Sequence, residues 1–227
     1  MRGRKYKFVW LLLSCFIISI TSATANERLP WGLQGNVKSV LILSYEPYEI
    51  FGEWRKVEIS NGDHYIATFD ERGQLLETRF YSFWGYMALE LLQIPIRENG
   101  VHQGYIFYDK RGNAIQKMKF NSISDEKIVA EMLDANGVKM HSLTKKITNG
   151  KVTKQALRLD NGYIIVELEY DKNGNLILVR LIDGGETHIT RYKHLAFDEQ
   201  GNWIKKMEFS NDDDEPDSLI IREITYF

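Results

Sequence analysis

The stretch Tyr170-Asp171-Lys172-Asn173-Gly174-Asn175 gives the clearest form of a motif, aromatic-Asp-x-x-Gly-(Asn/Gln), that recurs along this chain. Full copies lie at residues 69–74, 108–113 and 197–202, and a weaker copy lies at 133–137. Recurrence of one short motif indicates a repeat architecture. Since the motif has the residues of a tight turn between strands, the sequence predicts a repeated β-hairpin protein.

Turn chemistry explains the residue types of the motif. An Asp that opens a tight turn accepts hydrogen bonds from N–H groups two or more residues ahead, and a Gly takes positive φ at no steric cost. The predicted turn residues are the Asp and Gly of each full copy: Asp70, Gly73, Asp109, Gly112, Asp171, Gly174, Asp198 and Gly201. Calcium binding by these carboxylates is the alternative, but no copy has the alternating oxygen ligands and closing Glu of an EF-hand loop.

The spacing of the motif alternates. Successive motif glycines, counting Gly137 of the weaker copy, are 39, 25, 37 and 27 residues apart, so adjacent steps sum to 62–64. This near-constant sum suggests a two-motif unit that was duplicated.

Strand patterns fill the intervals between turns. Ile164, Val166 and Leu168 alternate with polar residues, the period of a half-buried strand, whereas residues 176–179 are apolar on both faces and predict a strand covered on both sides. The C-terminus alternates in the same way through Ile220 and Ile224. We predict an all-β fold, an antiparallel meander of repeated β-hairpins in one curled or partly closed sheet with at most one or two short helices.

Two segments compete with the strand interpretation. Residues 84–93 place Trp84, Met87 and Leu91 at helical spacing, which predicts a short helix or an irregular apolar insertion. Residues 124–137 begin with Ser124, a residue suited to a helix N-cap. Because 133–137 matches the turn motif, we predict a strand for this second segment.

The first 25 residues have the order of a secretory signal: a basic start, an apolar core at residues 8–20, and Ala23-Thr24-Ala25 as a cleavage site. Lipidation of Cys15 and retention of the segment as an anchor are the alternatives. Cleavage predicts residues 26–227 as a single β-repeat domain without a transmembrane span. The expected location is therefore outside the cytoplasm: periplasmic, associated with the outer membrane, or secreted.

Charge and composition restrict the classes of function. Removal of residues 1–25 leaves 25 Lys plus Arg against 31 Asp plus Glu, a net charge near −6 that argues against nucleic acid as a partner. The five histidines lack metal-ligand spacing, and the single Cys lies in the predicted signal. Glu167 and Glu169 suggest the solvated face of a strand rather than a glycosidase pair. No catalytic residue, metal site or cofactor is predicted.

An aromatic cluster in the longest interval is the one predicted partner-binding site. Phe83, Trp84, Tyr86 and Met87 exceed what a minimal hairpin needs, and insertions on a rigid sheet commonly carry binding surfaces. The alternative is that these side chains are core that closes one end of the sheet.

The repeated motif, together with Gly35-Asn36-Val37-Lys38-Ser39-Val40 near the start, resembles the YD repeats of RHS-type bacterial proteins and a looser group of exported bacterial β-repeat proteins. The resemblance implies an exported sheet protein with a binding or structural role and no catalytic residues. We therefore expect a non-enzymatic protein that binds a partner protein or an envelope glycan. A small hydrolase assembled from distant strands and a purely structural envelope component are the alternatives.

Overall fold

The computed structural model describes residues 31–59, 64–83, 87–160 and 162–227. Nearly all of these residues belong to antiparallel strands joined by short turns. In these ranges the strands are β1 (Val37–Ile50), β2 (Glu53–Ile59), β3 (His64–Phe69), β4 (Leu75–Phe83), β5 (Met87–Glu98), β6 (Val101–Asp109), β7 (Ala114–Ile123), β8 (Lys127–Asp134), β9 (Lys139–Thr148), β10 (Lys151–Leu159), β11 (Gly162–Tyr170), β12 (Leu176–Asp183), β13 (Glu186–Phe197), β14 (Trp203–Ser210) and β15 (Ser218–Tyr226).

The sheet closes on itself. From β3 to β15 each strand pairs with the next along the chain, and β15 returns to pair with β1 from Val37↔Tyr226 to Tyr45↔Leu219. On its other side β1 pairs first with β3 and then, beyond Tyr45, with β2, so β2 and β3 occupy one position in the ring. The fold is therefore a closed 14-strand barrel. The all-β hairpin meander is confirmed, but the partly closed sheet is wrong, because the first and last strands satisfy each other's free edges.

Strand count explains the alternating motif spacing. The 39- and 37-residue steps each contain three strands, β4 to β6 and β9 to β11, whereas the shorter steps contain two. The longest interval is thus filled by an additional regular strand. An odd number of strands also moves the next turn to the opposite end of the barrel.

The predicted helix is wrong where the structure describes it, since residues 87–98 form strand β5. The strand predicted after Ser124 is confirmed as β8, and Ser124 Oγ accepts a hydrogen bond from the N–H of Lys127 within a turn. Across the described residues no helix is long and apolar enough to cross a membrane.

Strand register separates an inner from an outer face, because residues paired across antiparallel strands project to the same side. The pairs Ile42↔Tyr65, Tyr105↔Met118 and Leu143↔Leu157 define one face around the ring. Their side chains belong to one continuous hydrophobic cluster, in which Phe107 and Met118 are fully buried. The inner face of the barrel is therefore lined mainly by apolar side chains.

The β1–β2 hairpin folds over the outside of the barrel. Trp54 packs against a second apolar cluster on the outer face of β1, β14 and β15, formed by Leu43, Tyr45, Met207 and Leu219, and its carbonyl accepts a hydrogen bond from Lys205 Nζ at 2.8 Å. At the tip, Phe51 is fully exposed with φ of +52°. Among the described residues other than glycine, Phe51 is the only one with positive φ that is not an Asn.

Candidate functional site

The predicted turn residues form hydrogen-bonded turns with one geometry. In the turn at 171–175, Gly174 N–H donates to the Asp171 carbonyl at 2.9 Å, and Asp171 Oδ1 accepts from the N–H groups of Asn173 and Asn175. The glycines of the four full motifs, Gly73, Gly112, Gly174 and Gly201, have φ between +82° and +88°. Three of these turns, at 70–74, 171–175 and 198–202, lie at one end of the barrel, which we call the floor.

At the floor, the turn at 198–202 has contacts beyond its own loop. Asn202, which is fully buried, accepts a hydrogen bond from Gln34 N–H at 2.6 Å and donates to the Gln34 carbonyl at 3.0 Å. It also donates to Tyr226 Oη at 2.7 Å, and Tyr226 donates to the Asp198 carboxylate. This network joins the segment before β1 to the seam where the barrel closes.

The segment before β1 plugs the floor. Trp31 and Leu33 are buried and belong to the interior cluster, although they precede the first strand. The Trp31 ring packs against Tyr65 and Phe69, with centroid distances of 5.9 Å to each. The segment therefore covers the interior at the end where Asn202 holds it.

Directly behind this segment lies a group of basic and aromatic side chains on β13, β14 and β15, which we call the floor site. It consists of Tyr192, His194, Trp203, Lys206 and Arg222. Arg222 is 6 % exposed, and its guanidinium carbon lies 3.6 Å from the Trp203 ring centroid. Lys206 Nζ lies 4.6 Å from the same ring and 3.8 Å from that of Tyr192. Two cations thus share one buried indole.

Burial at the floor site lowers the pKa of all three basic groups, His194, Lys206 and Arg222. Burial lowers the pKa of Lys206 to about 7, with Glu208 opposing and Arg222 adding to the shift. Burial, followed by the charge of Lys206, lowers the pKa of His194 to about 4. Arg222 stays charged at neutral pH, although burial lowers its pKa to about 10.

Two carboxylates attract the cations of the floor site, Glu208 acting on Lys206 and Asp198 on Arg222, and Asp198 is already engaged in hydrogen bonds. Partial burial alone would raise the pKa of Asp198, but hydrogen bonds from Tyr226, Asn202 and the Gln200 N–H hold it below its ordinary value. Asp198 therefore acts on Arg222 only through Coulomb attraction, and the guanidinium makes its one observed hydrogen bond, at 3.4 Å, from Nη2 to the Trp31 carbonyl.

Buried polar atoms without partners all belong to the inner face. Within the described residues, Arg222 Nε and Nη1 and His194 Nε2 lack a hydrogen-bond partner at the floor site, and the same holds for atoms of Thr78, His141 and Gln155. Each of these residues pairs in register with an inner-face position, such as Arg222 with Ile42 and Gln155 with Val166. Native proteins seldom leave buried polar atoms unsatisfied, so a concentration of them inside the barrel is evidence for a polar ligand or water there.

On the outer face, by contrast, charged side chains of neighbouring strands pair with each other. Lys154, Glu167 and Arg180 are paired across β10, β11 and β12 and form ion pairs with N–O distances of 3.0 and 3.2 Å. These groups are exposed or half-exposed at mid-strand. Glu167 therefore belongs to a solvated ion-pair row, as the alternation of its strand predicted.

The predicted partner-binding residues lie at the β4–β5 connection, at the opposite end from the floor. Phe83 and Met87 pair as the last and first residues of their strands, whereas Trp84 and Tyr86 lie outside the described residues. Because a third strand accounts for the length of this interval, length no longer supports an insertion there. The partner-binding role itself stays a prediction.

Sequence reasoning missed the floor site. One signal was available: Arg222 falls between Ile220 and Ile224 in the alternation that predicts the buried face of β15. A charged residue at a position where the alternation calls for an apolar one indicates a charged side chain on the buried face. Metal chemistry has no comparable support, since no group of three or more His, Cys, Asp or Glu in the described ranges is arranged to hold an ion.

No family model and no curated protein matches the sequence. Among solved structures, the chain is similar to a porin-like protein from Bacteroides uniformis, at 8 % identity and a TM-score of 0.44, over 85 % of this chain and 99 % of the other. The resemblance to RHS-type YD repeats is wrong, because the motif turns join the strands of a closed barrel, which is a different fold.

Proposed function

We propose that this protein is an exported, non-enzymatic binding protein of the cell envelope, whose barrel stands in water and receives a small molecule at the floor site. The observation that carries the proposal is the Arg222 guanidinium, which is buried inside the barrel beside Lys206 and Trp203 and whose Nε and Nη1 have no hydrogen-bond partner among the described residues. A buried charge without full hydrogen bonding is costly to folding, and such a cost is characteristic of binding and catalytic sites.

The distribution of charge supports a barrel surrounded by water. A barrel that spans a bilayer has an apolar outer band about 25 Å tall and a polar interior. Here the ion-paired row of Lys154, Glu167 and Arg180 occupies the middle of the outer face on β10 to β12, while the inner face holds the apolar cluster. Export rests on the order of residues 1–25 and stays part of the proposal, as does the earlier expectation of a protein or glycan partner.

Native mass spectrometry tests this function on protein taken from its own envelope. The full chain, expressed with its own N-terminal segment, should purify without detergent once released from any lipid anchor. It should also carry a small molecule that is lost on unfolding. A chain that stays dispersed only in detergent, or that carries and accepts no small molecule, would contradict the proposal.

A further inference from the structure

We propose that the floor site recognises an oxyanion group, a carboxylate, phosphate or sulfate carried by a small organic acid, with Arg222 as its main donor and Lys206 as the second cation. This inference deepens the proposed function and rests on it, because it names the class of ligand that the same site takes.

The donor inventory of Arg222 is the first step. A guanidinium has five N–H bonds and no acceptor, so Nε and Nη1 can be satisfied only by acceptors. Within the described residues neither has one, and Nη2 has a single long bond to the Trp31 carbonyl. An oxyanion supplies several acceptor oxygens to one guanidinium and forms stronger bonds than a neutral acceptor.

The position of Lys206 is the second step. Its ammonium lies over the Trp203 ring, and the Arg222 guanidinium lies over the same ring. A ligand oxygen between the two basic groups would therefore meet two positive charges. Repulsion between the cations is part of what lowers the pKa of Lys206, and a bound anion would relieve it. His194 on the adjacent strand pairs in register with Lys206, and its ring centroid lies 5.8 Å from that of Trp203.

The surroundings are the third step, and they favour an organic acid over a free inorganic ion. Arg222 contacts Trp203 and the Trp31 carbonyl and pairs in register with Ile42 on β1. Ile42 in turn pairs with Tyr65 on β3. Apart from its charged groups the floor site is thus bounded by aromatic and aliphatic side chains. Such surfaces contribute affinity only to a ligand with an apolar part.

Anion titration followed by tryptophan emission and by the thermal midpoint tests the assignment, since Trp203 contacts both cations. The probes are inorganic phosphate, sulfate, acetate and octanoate, in a chloride buffer of constant ionic strength. Wild type should show saturable changes in both signals. Octanoate should bind at least tenfold more tightly than acetate if the floor recognises an apolar carboxylate, whereas phosphate should be the stronger probe if the natural group is a phosphate.

Variants locate the response. Arg222→Gln should weaken the best probe at least tenfold and Lys206→Gln about threefold to tenfold, while Arg180→Gln, the matched arginine on the outer face, should behave as wild type. Sulfate and phosphate also stabilise proteins generally through exclusion from the surface, and the response that remains in Arg222→Gln, which lacks the main donor, measures that contribution.

An absence of saturable binding in wild type, or equal binding by wild type and Arg222→Gln, would overturn the oxyanion assignment. If Arg222→Gln does not fold, Lys206→Gln decides: unchanged affinity in that variant overturns the assignment. A neutral molecule found by mass spectrometry with no anion response would leave the binding function intact and remove only the ligand class. A chain that stays dispersed only in detergent but still binds anions through Arg222 would contradict the proposed barrel in water and leave the oxyanion assignment intact.

Discussion

Arg180 and Arg222 show how differently the two faces of one barrel treat the same side chain. Arg180, on the outer face of β12, bonds Glu167 at 3.2 Å and lies 3.7 Å from Glu169. Arg222, on the inner face of β15, has two nitrogen atoms without a partner among the described residues. In water a paired surface arginine contributes little to stability, whereas a buried one with unmet donors costs free energy. This difference in burial and pairing is the reason that the proposed ligand site lies at Arg222 and not at Arg180.

Truncation inside and outside the barrel tests whether the interior is packed. Phe107→Ala should lower the free energy of unfolding by about 3–5 kcal/mol, because Phe107 is fully buried in the interior cluster. Leu76→Ala, at a half-exposed position of β4, should cost less than about 0.5 kcal/mol. Urea denaturation measures both. Equal small losses would indicate a water-filled channel and end the contrast between the faces.

Lys145 on the inner face should make the free energy of unfolding depend on pH. It is a fully buried inner-face residue on β9, and burial lowers its pKa to about 7. Between that value and the ordinary lysine pKa the unfolded chain binds more protons, so stability should rise with pH from about 7 to 10. The expected slope is about 1 kcal/mol per pH unit. Lys206 has the same direction of shift and adds to the effect.

Unfolding free energies at pH 7, 8 and 9 check this slope. In Lys145→Met the slope should fall by about half, while Lys154→Met on the outer face should leave it as in wild type. A slope that is the same in all three proteins would show that Lys145 does not titrate in this range.

The two arginines can be compared directly. In buffer without oxyanions, Arg222→Met should raise the free energy of unfolding by about 1–3 kcal/mol, because it removes unsatisfied buried donors. Arg180→Met should change it by less than about 1 kcal/mol. Chemical denaturation in chloride buffer is the measurement. A clear loss of stability in Arg222→Met would show instead that stacking on Trp203 outweighs the unmet hydrogen bonds.

The smallest expected effect concerns the outer hairpin. Phe51 has φ of +52°, a conformation that suits Asn or Gly, and its side chain is fully exposed. Phe51→Asn should therefore raise the free energy of unfolding by about 1 kcal/mol. Asn99→Ala, at a turn position with φ of +51°, is the converse control and should lower it by a similar amount. A loss of stability in Phe51→Asn would show that the aromatic ring has a packing role.

The sequence by itself determined the turns and the strand alternation. Each motif turn depends on residues at most four positions apart, such as Asp171, Gly174 and Asn175, so local chemistry specifies it without the rest of the chain. The buried alternation of Ile164, Val166 and Leu168 was predictable for the same reason.

Tertiary structure alone decided closure and the floor site. Whether β1 meets β15 depends on twist and register accumulated over the whole ring, which no local pattern contains. Residues 176–179 were predicted to be covered on both sides, yet Leu178 is half-exposed, because a barrel wall has only one buried face. Arg222 and Lys206 likewise become one site only when closure and the Trp31 plug take them out of water, since burial and proximity are properties of the folded ring.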